Sequence, residues 1–101
     1  MANRAFRDLQ ELRRTAERLI DEGRFRISAH ARVEHPQLTE MDKLEIVRFG
    51  GRDRLDAKRP AADAVYVCWA RHPLHGLCRG VYAIEQLPSG DLVVVITAFK
   101  E

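Results

Sequence analysis

The apolar positions of residues 4–22 recur at helical intervals. Phe6, Leu9, Leu12, Ala16, Leu19 and Ile20 share one face, with Glu11, Arg14, Glu17 and Arg18 on the polar side. Asn3 reads as the N-cap of this helix and Gly23 as its stop. In Arg24-Phe-Arg-Ile-Ser28 the period changes to two, which predicts a short strand. Ser28 then suits the cap of a short helix from Ala29 to about His35, closed by Pro36, which disfavours helical geometry at the residue before it. The alternation also runs on through Ala29, Ala31 and Val33, so a longer strand competes; strand followed by helix is preferred. Thr39-Glu-Met-Asp42 is a capping-box-like start with Asp in place of the usual Glu or Gln. Met41, Leu44, Ile46 and Val47 give that helix a face through Phe49, and Gly50-Gly51 stops it.

Residues 52–63 are charged and predict a loop or an irregular edge strand. Three strands follow, at 64–71, 77–85 and 92–99, joined by His72-Pro-Leu-His-Gly76 and by a turn at Pro88-Ser-Gly-Asp91. The last strand, Leu92-Val-Val-Val-Ile-Thr-Ala-Phe99, is continuously apolar, so it belongs inside the sheet with both faces covered. The expected fold is α+β: one domain over residues 1–101, with N-terminal helices packed on one face of a three-stranded antiparallel meander. Residues 24–28 are available as a fourth strand. Helices on one face leave the other partly open to a ligand.

Composition supports a folded core, with 46% hydrophobic residues in 101. No apolar run approaches the ~18 residues of a membrane span, and the charged N-terminus carries no apolar signal core, so a cytoplasmic protein is expected. Charge adds a direction. Of 17 cations 14 are arginine, the side chain suited to phosphate and carboxylate, though a GC-rich genome produces the same excess. Residues 43–59 concentrate it: Lys43, Arg48, Arg52, Arg54, Lys58 and Arg59 stand against three acids, a local +3 where the whole chain carries +2. These six are the candidate contacts to nucleic-acid phosphates.

Two groups of residues invite chemistry. Cys68, His72, His75 and Cys78 are the ligand types of tetrahedral zinc, but their spacing matches no common knuckle; buried free thiols are the competing reading. His30 and Arg32 set an acid–base group two residues from a phosphate holder. An ordinary surface histidine fits the spacing equally. Tyr66, Trp69 and Tyr82 lie on predicted strands, where aromatics either stack on bases or pack the sheet.

Ile27-Ser-Ala-His-Ala-Arg32, Leu38-Thr-Glu-Met-Asp42 and Val95-Ile-Thr-Ala-Phe99 together resemble a small bacterial family of His-Ala-Arg domains. That family is similar to the RelE/BrnT group of ribonuclease toxins from toxin–antitoxin systems. The likeness covers roughly residues 24–99. It implies helices on an antiparallel sheet and binding or metal-independent cleavage of RNA across the exposed sheet face, with no cofactor. It also implies a cognate antitoxin as partner. Carried over by position, the catalytic candidates are His30, Arg32 and Arg79. The chain departs from the family pattern at Val33-Glu34, where a second arginine is usual, and at His35-Pro36, which replaces Arg-Gly. A non-catalytic module of the same fold, binding protein or nucleic acid, is the alternative reading.

Overall fold

A computed structural model describes residues 2–101. Three helices, α1 (Leu9–Asp21), α2 (Ala29–Val33) and α3 (Glu40–Arg48), accompany five strands. The strands are β1 (Phe25–Ile27), β2 (Gly51–Leu55), β3 (Tyr66–His72), β4 (Gly76–Leu87) and β5 (Gly90–Lys100). They form one sheet in the order β1-β5-β4-β3-β2. The fold is therefore α+β, as expected, but the sheet has five strands and is mixed. β1 runs parallel to β5, and the other pairs are antiparallel. The parallel pair follows from the crossover: α2 and α3 lie between β1 and the strands that close the sheet. The apolar β5 lies inside the sheet, between β1 and β4.

The first helix is shorter than its apolar period suggests. It begins at Leu9, capped by Asp8, whose carboxylate accepts from Gln10 N–H at 2.8 Å and Glu11 N–H at 3.3 Å. Asn3 is not a cap; it bridges to Glu85. β4 runs on past the start of β3, which leaves backbone groups of residues 84–86 without a strand partner. The N-terminal segment satisfies them: Arg4 N–H donates to Ile84 O at 2.7 Å and Gln86 N–H to Ala2 O at 3.0 Å. The charged stretch after Gly50 is a real edge strand, β2, and it is irregular. Its register to β3 shifts between Gly51 and Arg54, and Arg52 sits in the left-handed region at φ 58°.

α1 and α3 cover one sheet face. Leu12, Ala16 and Leu19 from α1 and Leu44 and Val47 from α3 meet Tyr66, Cys68, Tyr82, Ile84, Val93 and Val95. α3 comes close because Gly80 has no side chain: a Cβ there would lie 3.1 Å from Cys68 Sγ and from Val47. Gly50, read above as a helix stop, is a close-approach position too; its Cβ would lie 2.8 Å from Cys68 Sγ. α1 is pinned by a buried ion pair. Arg13 donates to both carboxylate oxygens of Asp53, at 2.9 and 2.7 Å, and to Val47 O at 2.6 Å, while the Tyr82 hydroxyl donates to the same carboxylate. The opposite sheet face carries Val65, Val67 and Val81, with Trp69, Ile96 and Phe99 packed against them; among the described residues no helix contributes to this cluster. Among the described residues no helix is long and apolar enough to cross a membrane.

Candidate functional site

Strand alternation decides what the helix-free face presents. On β3, Tyr66, Cys68 and Ala70 turn to the helices, so Val67, Trp69 and Arg71 turn away. On β4, Arg79 pairs with Trp69 on one side and Phe99 on the other. Trp69 is thus the centre of an aromatic and arginine strip. The guanidinium of Arg54 lies 4.9 Å from its ring centroid and that of Arg79 lies 5.1 Å away. Arg79 also lies 5.6 Å from the Phe99 ring. His35, held at φ 54° in the connection after α2, adds its ring 5.2 Å from Phe99. Glu101 orients the strip by accepting from Trp69 Nε1 at 2.9 Å and Arg79 Nε at 2.7 Å. Beside it a groove of about 270 Å³ is lined by Gly51, Arg52, Trp69, Arg71 and Leu77. Tyr66 and Tyr82 are buried on the helix side and offer nothing to a ligand.

The other sequence candidates scatter. Lys43 cannot touch a phosphate: it is 1% exposed, and its ammonium donates to Ala31 O and to Glu34 O, at 2.6 Å for the latter. The α2 carbonyls left open at the helix end take up this charge. Arg48 faces α1, bound to Asp21 at 2.6 and 2.9 Å. Lys58 and Arg59 lie in the loop before β3, and Arg59 meets Asp56 at 3.4 Å. Of the six cations, Arg54 belongs to the strip and Arg52 to the groove beside it. His30 and Arg32 are exposed on α2; Arg32 Nε lies 3.9 Å from Glu40, and no hydrogen bond or ion pair joins either residue to Arg79 among the described residues.

The four proposed zinc ligands do not converge as a set. Both thiols are buried among the packed side chains, Cys68 toward Ile46 O and Cys78 toward Gly76 O. Burial pushes the Cys68 thiol up to about 12, and it raises Cys78 as well, so both are protonated near neutrality. The two histidines meet carboxylates from α3 instead. His72 Nε2 lies 3.0 Å from Glu45 Oε1 and 3.3 Å from Asp42 Oδ1, and His75 Nε2 lies 3.0 Å from Asp42 Oδ2. Asp42 is the capping residue expected from the sequence: Thr39 N–H donates to it at 3.0 Å, and Asp42 N–H returns the bond to the Thr39 hydroxyl. The Thr39 N–H, then the histidines, hold its carboxyl below the usual range. Asp42 and Glu45 were not singled out as ligands by sequence. The signal was there: two carboxylates three apart on one helix face, and His-x-x-His across a hairpin turn.

No protein family, curated protein or solved structure matches the chain. What the fold defines is an α+β protein whose N-terminal helices pack on one face of a five-stranded mixed sheet. Its other face carries the aromatic and arginine strip.

Proposed function

We propose that this chain is an RNA-binding domain related to the RelE/BrnT-type toxins, holding single-stranded RNA across the helix-free sheet face. The observation that carries this reading is Trp69 set between Arg54 and Arg79, with Phe99 adjoining. An unstacked base finds an aromatic ring and guanidinium planes there, an arrangement worth about 1–3 kcal/mol per base. Arg52 and Arg71, lining the adjacent groove, are placed for phosphates. Trp69 is the only tryptophan, so its fluorescence reports the site directly. Titrating a short single-stranded RNA at low salt should quench it saturably, and binding should weaken as salt rises. Trp69→Ala and Arg79→Ala should each lower affinity about 5- to 150-fold, equivalent to that energy. No saturable quenching at low salt refutes the reading.

A second reading adds cleavage. His30 is exposed, its side chain makes no hydrogen bond among the described residues, and it stands five residues before His35, which stacks on Phe99. Its imidazole is available as an acid or base beside bound RNA. RNA cut by the wild type and left intact but bound by His30→Ala supports this. RNA bound and never cut leaves a non-catalytic module.

A further inference from the structure

The histidine and carboxylate group at the β3–β4 turn is separate from the RNA face. Asp42 and Glu45 project from α3 on the helix-covered side, His72 ends β3, and His75 stands in the turn closed by Gly76 at φ 74°. Ligand atoms of Asp42, His72 and His75 all lie within 4.8 Å of one another. Four donors ~2.0–2.1 Å from a tetrahedral ion stand about 3.3 Å apart. The contacts of His72 to Asp42 at 3.3 Å, His75 to Asp42 at 3.0 Å and His72 to Glu45 at 3.0 Å approach that spacing. The Glu45 side chain is 42% exposed and can turn to close the fourth corner.

Charge points the same way. Among the described residues neither carboxylate meets an arginine or a lysine; their only ionisable partners are the two imidazoles. Two carboxylates and two imidazoles with no arginine or lysine beside them are the donor types that a first-row dication takes. The position is also reachable. Asp42, Glu45 and His72 line a cleft of about 460 Å³ with Arg71 at its rim. We infer that Asp42, His72 and His75, with Glu45 as fourth ligand, form a site for a divalent first-row cation of the zinc or cobalt type.

Loading the site asks one adjustment. The Leu74 N–H donates to His72 Nδ1 at 3.1 Å, so the proton of the neutral ring sits on Nε2, facing the carboxylates. A metal at Nε2 takes the place of that proton, which moves to Nδ1 with no net release. The Leu74 N–H must then swing away. Pro73 and Leu74 are exposed in the turn, so only that peptide needs to move.

The test is Co²⁺ titrated into the untagged chain after chelator dialysis, followed by visible absorption, with Zn²⁺ as competitor. One Co²⁺ per chain is expected, with tetrahedral bands, no thiolate charge-transfer band, displacement by Zn²⁺, and a shifted Leu74 amide resonance. His75→Ala should weaken binding more than the ~10–100-fold that an outer-sphere partner is worth. Cys78→Ser should bind as the wild type does. Should His75→Ala fail to fold, Glu45→Gln, changed at an exposed carboxylate, carries the test with an expected loss of at least ~10-fold. No saturable Co²⁺ uptake by the folded wild type overturns the inference. So does a thiolate band, or wild-type affinity in the folded ligand variant.

Discussion

Asp53→Asn should be among the most damaging single changes in this protein. The Asp53 side chain is 4% exposed and that of Arg13 is 15% exposed, so the pair is nearly removed from water. The contact is bidentate, and the Tyr82 hydroxyl occupies one of the same oxygens. Burial is the largest influence on Arg13 and by itself would lower its pKa, yet the bond to Asp53 and the fields of Tyr82, Asp53 and Cys68 together raise the net value; the guanidinium stays charged. Neutralising Asp53 therefore leaves a buried cation without its counter-charge. Breaking such a pair from one side costs about 3–5 kcal/mol. Against a total of ~5–15 kcal/mol for a domain of this size, that is a large share. Urea unfolding followed by Trp69 fluorescence and by far-ultraviolet circular dichroism measures it. Arg13→Met should also be costly, since Val47 O loses its donor. The double variant Arg13→Met with Asp53→Asn should lose less than the sum, because the second change removes the stranded partner. A loss under about 1 kcal/mol for Asp53→Asn, or strict additivity in the double variant, refutes the argument that the pair is desolvated and coupled.

Three other outcomes follow from the same contacts. Lys43→Met should leave RNA affinity unchanged and cost about 2 kcal/mol, because charged hydrogen bonds to two carbonyls at the end of α2 are lost; a drop in affinity at unchanged stability would return Lys43 to the binding surface. The raised thiol of Cys68 makes stability fall as pH rises from the ordinary thiol value of 9.0 towards about 12, since the unfolded chain ionises first; urea midpoints across that range should show a slope that Cys68→Ala reduces, and an unchanged slope would assign it to other groups. Arg52→Gly relieves a left-handed backbone that costs a side-chain-bearing residue roughly 1–2 kcal/mol, so thermal unfolding should shift upward while RNA binding weakens; a lower midpoint would mean the Arg52 side chain stabilises more than its backbone costs.

Much of the local structure was readable from side-chain chemistry a few residues apart. Ser28 caps α2 through Ala31 N–H, Thr39 and Asp42 form the reciprocal capping box, and the last three strands pair in the order the apolar runs implied. Arg79 was named from its position, and pairing with Trp69 and Phe99 is what places it in the strip. The misreadings share a cause. Phe6 fits the helical period of α1, yet residues 2–6 run extended because backbone groups on β4 needed partners, a demand set about 80 residues away. Lys43 counted as a surface cation until the fold laid α3 against α2 and gave its ammonium two carbonyls. His72 and His75 looked like companions of the nearby cysteines; register and alternation instead aimed them at Asp42 and Glu45, 27 to 33 positions away.

By itself, then, the sequence determined where α2 and α3 are capped, which stretches form the last three strands, which faces are apolar, and that an arginine-rich middle lies beside a β-rich end. Those properties arise from hydrogen bonds and periodicities spanning one or two turns. Only the tertiary structure decided which arginines remain available and which are spent on carboxylates and carbonyls, since that depends on what lies opposite each guanidinium. The mild basic excess resolves accordingly. Arg13 and Arg48 are consumed within the helical layer; Arg52, Arg54 and Arg71 are left around Trp69 on or beside the helix-free face, where Arg79 is held by Glu101.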